Sequence, residues 1–458
     1  MKIAFHTLGC KVNQYESEAM AALFRQRGHL VVDEHDFADV YVINTCTVTA
    51  EADRKSRQYI RRMKKVNPDI IVAVTGCYAQ TRPEEVSAVA GVDIVTGTNE
   101  KSSLPRIVEE FAERGQQHVL RVHPLEQLTS YEDTGIVTSA ENRTRAYVKI
   151  QEGCNRFCSY CVIPYARGEV RSRPMEDIIA EARKLIRGGY KEIVLTGINT
   201  ALYGTEPGFG RGADGLCAGT GRAAAAEPSG IEPVIAALDD LDGDFRIRLS
   251  SLEPAVVNAD YVKRLLPYRR LCHHLHLSAQ SGSDAVLRAM NRPYDREQYL
   301  EIVRTLRRED PGYGISTDMI AGFPGEKEED VEDSLDLIGQ CGFCRTHVFR
   351  YSRRPMTAAA EMKDQIPSQV KGERSRRLQE AGEQAAEDFF LRCAGQTRRV
   401  LWETYSPEDG LLSGYTDSYI RVWTKAAPEE GESRLNTFED VRLAEPFRDG
   451  MMAESSSP

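Results

Sequence analysis

The chain has 458 residues, 41% of them apolar, with a formal net charge of −10. That is enough apolar content for two to four folded units and excludes wholesale disorder. The acidic balance argues against a nucleic-acid partner held by overall charge, so any such contact must rest on local patches. No stretch approaches the roughly 18 apolar residues of a membrane span, and the N-terminus lacks the apolar core of a secretion signal; a soluble, cytoplasmic, membrane-free protein is expected.

Region one, residues 1–135, alternates the short apolar runs IAFHTL, VYVIN, IIVAVTG and DIVTG with helical stretches near 16–27, 51–65 and 103–114. This alternation predicts a parallel sheet with covering helices. The segment DRKSRQYIRRMKK, residues 53–65, carries seven basic residues against one acid. At helical spacing Arg54, Arg57, Arg61 and Lys64 share a face, a candidate contact for RNA. Region two, 144–372, repeats the same grammar in AYVKIQ, EIVLTG, RIRLSS, HLHLSA, GISTDMIAG and THVFRYS. Six strand–helix units predict a (β/α)6 partial barrel whose site lies at the carboxyl ends of its strands. The Gly- and Ala-rich stretch 205–230 reads as a surface insertion in which Cys217 is incidental. Region three, 376–448, has short strand-like runs with turn signals and predicts a small all-β barrel, followed by a loose tail. It holds seven Lys/Arg against ten Asp/Glu between 397 and 448, which suits phosphate poorly.

Eleven cysteines are many for a chain in a reducing compartment, where metal or redox chemistry is the better expectation than disulfides. Six of them sort into two trios. EGCNRFCSYC places Cys154, Cys158 and Cys161 at C-x3-C-x2-C directly after the first barrel strand. Structural zinc closes its shell with four ligands; three thiolates on one loop suit an iron–sulfur cubane with one iron open. Cys10, Cys46 and Cys77 each follow an apolar strand of region one, 36 and 31 residues apart. In a parallel sheet those positions share the edge where ligands bind, so the three thiols should converge on a second cluster, again with an open iron. Cys341 and Cys344 form a C-x2-C near His347 that reads as two buried thiols ahead of a zinc half-site, and Cys272 and Cys393 read as structural.

The C-x3-C-x2-C loop resembles that of the radical S-adenosylmethionine (SAM) enzymes. LGCKVNQYES, VINTCTVT and VTGCYAQ, with EGCNRFCSYCVIPYARGEVRSRP, LTGINTALYG, SSLEP and TDMIAGFPGE, resemble the methylthiotransferases among them. GYTDSYIRV resembles the RNA-binding TRAM domain that closes those enzymes. The likeness covers nearly the whole chain apart from the 205–230 insertion and the tail. The spelling GCKVNQYES is similar to the tRNA branch that converts N6-threonylcarbamoyladenosine to its 2-methylthio form beside the anticodon. The alternatives are the branch acting on isopentenyladenosine and the one modifying an aspartate of a ribosomal protein.

The resemblance implies two 4Fe-4S clusters, SAM, tRNA as partner and an electron donor such as flavodoxin or ferredoxin. In the family, SAM chelates the open iron of the Cys154/Cys158/Cys161 cluster and yields a 5′-deoxyadenosyl radical, while the second cluster is expected to carry the sulfur. The backbone of Tyr160 would lie near the adenine. Thr196, Gly197, Ser251, Glu253, Ser278, Gln280 and Asp318 stand at barrel strand ends whose counterparts contact SAM or substrate. Arg167, Arg171 and Arg173 could meet phosphates or the threonylcarbamoyl carboxylate, because guanidinium pairs with both. The chain departs from the family where Ser278-Ala279 replaces an expected Pro-Leu, and again in RYSRRPMTAAA, residues 350–360.

Overall fold

The computed structural model describes residues 1–66, 68–115, 118–135, 144–209 and 230–454. Cys217 and nearly all of the 205–230 stretch lie outside the described residues. In the first 135 residues, β1 (Lys2–Thr7), β2 (Leu30–Val32), β3 (Val40–Thr45), β4 (Ile71–Gly76), β5 (Ile94–Thr96) and β6 (Val119–Arg121) form one sheet in the order β2-β1-β3-β4-β5-β6. Every pairing in it is parallel. β3 is buried along its whole length, as expected for a strand covered on both faces. Helix α1 (Lys11–Gln26) starts directly at Cys10, five residues earlier than the sequence pattern suggests. Helices α2 (Ala50–Val66), α3 (Cys77–Thr81), α4 (Pro83–Ser87) and α5 (Leu104–Arg114) follow.

The basic face expected on α2 is largely committed within the fold. Arg54 pairs with Glu51, Arg57 with the Tyr78 hydroxyl and Glu85, and Lys64 with Asp93. Arg61 is exposed.

The central part is the partial barrel predicted. β7 (Arg145–Glu152), β9 (Glu192–Gly197) and β10 (Arg246–Leu249) run parallel, and the two-residue β8 (Arg171–Ser172) returns antiparallel beside β7. After a kink at Ser250, β11 (Ser251–Leu252) joins β12 (His274–Leu277), β13 (Gly314–Ala321) and β14 (Arg345–Arg350), again parallel. Backbone bonds Ile247 N–Arg270 O at 2.7 Å and Cys272 N–Ile247 O at 2.8 Å carry the wall across the kink. One apolar core, including Val148, Ile193, Leu195, Ile247, Leu275 and Ile315, lies between strands and outer helices.

β15 (Thr397–Ser406), β16 (Leu411–Thr416), β17 (Arg421–Lys425), β18 (Phe438–Phe447) and β19 (Gly450–Ala453) close a five-strand barrel. The expected loose tail is corrected in part: β19 pairs with both β17 and β18, so residues 450–453 complete the barrel wall. The turn between β16 and β17 plugs the amino-terminal end of the central barrel. There Arg248 donates to Thr416 O at 3.1 Å and Asp417 O at 3.0 Å, and Arg246 to Tyr415 O at 3.1 Å. The Tyr419 ring lies under Arg145, Arg248 and Arg345 and beside the His274 ring.

A 26-residue helix, Ser368–Cys393, links the two barrels. Leu378 and Ala385 belong to the central core, while Phe389 and Cys393 belong to the core around Trp402, Leu412 and Val422. The interval 372–376 between the second and third regions falls inside this helix. Both tryptophans of the chain, Trp402 and Trp423, lie in the small barrel. Phe389→Ala should cost about 3–5 kcal/mol, read as an earlier denaturant midpoint of tryptophan fluorescence.

Candidate active site

The register of the first sheet brings the carboxyl ends of β1, β3 and β4 together, with Thr7 opposite Asn44 and Thr45 opposite Gly76. Cys10, Cys46 and Cys77 stand just beyond those ends. Gly9 makes the approach possible: its φ is +109°, and a Cβ there would meet Cys46 Cβ at 2.7 Å and Sγ at 3.0 Å. Burial first, with neighbouring Cys77 and Cys10 acting the same way, pushes the Cys46 thiol up to about 12. Burial also raises Cys77, opposed by the charge of Arg167.

The trio of Cys154, Cys158 and Cys161 sits on the loop after β7. Gly153 turns the chain there with φ +75°, and a Cβ would meet Glu169 O at 1.7 Å. Cys154 N donates to Gly168 O and Cys161 N to Cys158 O, both at 2.9 Å. Ser159 N donates to Met290 O and Ala359 N to Ser159 O, so the far side of the barrel clamps the loop. Burial pushes Cys161 up to about 12, with Cys158 and Cys154 adding to it, and also raises Cys154. Among the described residues no His, Cys, Asp and Glu side chains are grouped to hold a single metal ion. A cubane does not need such a group, because each thiolate binds a different iron.

Each trio has one sulfur that accepts an arginine N–H at 3.2 Å. Arg292 Nη1 donates to Cys158 Sγ, and Arg167 Nε to Cys77 Sγ. Two gatherings of thiols, each offered a cationic donor at a buried member, fit a pair of thiolate-bound clusters.

Of the strand-end residues, Glu253 is 3% exposed and accepts from Arg156 Nε at 2.7 Å and Asn199 Nδ2 at 2.9 Å. Arg292 comes within 3.7 Å of the same carboxylate, which places Glu253 beside the C-x3-C-x2-C loop. Tyr160 packs on Val286, Met290 and Phe323 next to Cys158 and Cys161. Gly197 lies against Gln151, whose Oε1 accepts from Asn199 N at 2.9 Å. Thr196 is buried in register with Lys149. Gln280 adopts φ +67° and donates its N–H to Asp318 O at 2.8 Å. Asp318 accepts from Ser278 Oγ and meets His276 Nε2, both at 3.0 Å. Burial would raise its carboxyl, but the bond and charge of His276 bring it below the usual carboxylate value. Ser251 is exposed.

Arg167, Arg171 and Arg173, expected to meet phosphates or a carboxylate, are instead turned into the fold and bonded to protein groups, which corrects the expectation. Each is at most 3% exposed. Arg171 donates to the carbonyls of Leu128, Arg167 and Glu169, while Arg173 pairs with Glu181 and donates to the Tyr15 hydroxyl. Arg167 ends the short helix α6 (Ile163–Arg167), which begins two residues after Cys161. Its Nη1 bonds Glu16 at 2.5 Å and Glu152 at 2.6 Å; its Nη2 bonds Asn13 at 2.8 Å and Glu16 at 3.0 Å. Lys149 joins Glu16 at 3.1 Å and Glu152 at 3.0 Å, and Lys101 approaches Glu16 at 3.4 Å. All five charged side chains are wholly buried. The sequence carries no local sign of this network, since Glu16 and Arg167 are 151 positions apart.

Arg354, in the divergent RYSRRP stretch, was also not anticipated. It donates to Thr47 Oγ1 at 2.8 Å and pairs with Asp53, while Ser352 Oγ accepts from Ala50 N at 3.1 Å. That stretch therefore braces the loop after Cys46. Cys341 lies in the central core and Cys344 in the small-barrel core, so they do not form a shared site. Cys272 and Cys393 are buried, as expected.

Residues 2–97 match the model of a family described as uncharacterized protein family UPF0004, and 148–338 that of the radical SAM superfamily. The chain is 38% identical over 452 residues to threonylcarbamoyladenosine tRNA methylthiotransferase MtaB of Bacillus subtilis (strain 168), covering 98% of this chain and 95% of that relative. It is 37% identical over 432 residues to the MtaB protein of Aquifex aeolicus (strain VF5), covering 94% and 98%. The tRNA-2-methylthio-N(6)-dimethylallyladenosine synthase of Carboxydothermus hydrogenoformans is 37% identical over 418 residues, with 90% of each chain covered. Among solved structures, the radical SAM methyltransferase TsrM from Kitasatospora setae shares the fold at TM-score 0.56 and 14% identity, over 90% of this chain and 80% of that one. The chain belongs to the radical SAM methylthiotransferases. It is a SAM-dependent transferase, and its cofactors are SAM and 4Fe-4S clusters. Among the described residues, no helix is long and apolar enough to cross a membrane.

Glu16 yields a pH prediction. Burial alone would raise its carboxyl, but Arg167, Lys101 and Lys149 outweigh burial and hold it at about 2, against an ordinary 4.5. A depressed folded value contributes stability above pH 4.5 that is lost as pH falls toward 2. Glu16→Gln should therefore flatten acid destabilisation across that window, followed by circular dichroism. At pH 7 the same variant should be less stable by about 3–5 kcal/mol, because the buried cations lose a partner.

Proposed function

We propose that Cys154, Cys158 and Cys161 hold one 4Fe-4S cluster and Cys10, Cys46 and Cys77 a second, each with an open iron. Tyr160, Thr196, Gly197, Glu253, Gln280 and Asp318 then form the walls against which SAM and the target nucleoside lie. The enzyme places a methylthio group on C2 of N6-threonylcarbamoyladenosine next to the anticodon of tRNA. A low-potential protein of the flavodoxin or ferredoxin class supplies electrons. We divide the work among 1–135 for the sulfur-bearing cluster, 144–372 for the SAM site and 376–448 for RNA contact through the TRAM barrel.

The carrying observation is the pairing of two cysteine trios on either side of α6, just beyond the carboxyl ends of parallel strands, with Cys46, Cys77 and Cys158 buried. An adenine C2–H offers no handle to a protein acid, base or nucleophile. When bound, the SAM-ligated cluster supplies the one-electron chemistry that such a bond requires. The protein's own part is placement. Arg167 and Arg292 orient one thiol in each trio, Glu253 is held by Arg156 and Asn199, and Asp318 is held by His276 and Ser278.

The isopentenyl branch remains the second reading, given relatives of similar identity. The barrel interior favours the first. His276, Ser278, Asp318 and Ser316 bond one another there, and the charge of Lys11 reaches His274, His347 and Tyr419. Such a lining suits a substituent with a carboxylate and hydroxyl better than a hydrocarbon one.

Nucleoside mass spectrometry of tRNA from a strain lacking this gene should show loss of 2-methylthio-N6-threonylcarbamoyladenosine. The wild-type gene should restore it; Cys10→Ala or Cys158→Ala should leave only the unmodified precursor. Loss of the isopentenyl derivative instead would move the assignment to the second reading, and no change in either would overturn it.

A further inference from the structure

The second trio contains one thiol, Cys77, whose surroundings are fixed from the other side of the domain boundary. Arg167 Nε–H points at Cys77 Sγ at 3.2 Å, and both residues are buried. The guanidinium cannot turn away. Its remaining donors are taken by Glu16, Glu152 and Asn13 at 2.5–3.0 Å. Those partners are themselves locked: Asn13 Nδ2 donates to Leu8 O at 2.7 Å and Thr45 O at 3.0 Å, in the loops that carry Cys10 and Cys46. A single side chain thus gathers all three strand ends of the first sheet. It hangs from α6, whose other end adjoins Cys161. Thr98 Oγ1 adds a second tie, donating to Ala166 O at 3.1 Å.

We propose that Arg167 is a positioning residue for the cluster held by Cys10, Cys46 and Cys77. Its Nε–H keeps the Cys77 sulfur in place and stabilises the more negative, reduced form of that cluster. This rests on the assignment of those cysteines as ligands. Hydrogen bonds to cluster sulfurs set reduction potential, and a donated one raises it. Because Arg167 and Cys77 are buried, solvent screens this bond only weakly. The charged network supplies a rigid mount, since every donor and acceptor facing the guanidinium is satisfied.

The test uses the full-length protein with Cys154, Cys158 and Cys161 all changed to alanine, leaving only the second trio to bind iron. Arg167→Lys keeps a cation between Glu16 and Glu152 but removes the planar Nε–H. After anaerobic reconstitution, parent and variant should each hold about four irons. In a redox titration followed by electron paramagnetic resonance, the variant's midpoint should move to lower potential and its spectrum should change shape. Arg167→Gln with Glu16→Gln removes one charge of each sign together. It should shift the midpoint the same way, and it serves if the lysine variant does not fold. Full iron with an unmoved midpoint and spectrum in a folded variant would overturn the proposal, even if thermal stability falls. A parent that binds no iron would overturn the ligand assignment instead, and the proposal with it.

Discussion

Glu16 and Glu152 are carboxylates without access to water, and they are tolerable only because Arg167, Lys149 and Lys101 share them. An ion left alone in such a place would cost several kcal/mol. The five groups come from α1, the loop before α5, β7 and α6, so the network can close only when the first sheet and the partial barrel meet in one orientation. A well-packed apolar seam could be as stable. What charge adds here is direction: guanidinium and carboxylates accept few arrangements, and the accepted one fixes α6, which follows Cys161, against the strand ends that carry Cys10, Cys46 and Cys77. Tyr15, which adjoins Glu16 on α1, repeats the principle with Arg173 and Glu181.

Much of this plan was legible in the sequence, for a physical reason. A cysteine just past an apolar strand keeps its meaning whatever else the chain does, because strand ends in a parallel sheet share an edge. Cys10, Cys46 and Cys77 could be grouped on that ground, and C-x3-C-x2-C needs only its own loop. The alternation of strands and helices across 1–372 is likewise local. The three arginines after the cluster loop were not legible. Whether a guanidinium faces solvent, ligand or a buried acid depends on partners far along the chain, and spacing does not report them.

Other departures have similar causes. The sequence pattern starts this helix near residue 16, yet α1 begins at Lys11, where Val12 is buried and Tyr15 packs in one cluster with Ala19 and Tyr147. GMMA reads as tail because a four-residue strand has little pattern of its own; pairing with β17 and β18 defines it. The helix Ser368–Cys393 fills two cores in succession, so no composition break marks where one part yields to the next.

That arrangement sets a length scale for the substrate. The small barrel is mounted at the amino-terminal mouth of the larger one, while the cysteines crown the opposite rim. An eight-residue strand such as β7 spans roughly 26 Å. One nucleotide cannot bridge that gap. An RNA that touched both ends would have to extend over about that length. The enzyme would then measure its substrate by the reach of that RNA as much as by the base it alters.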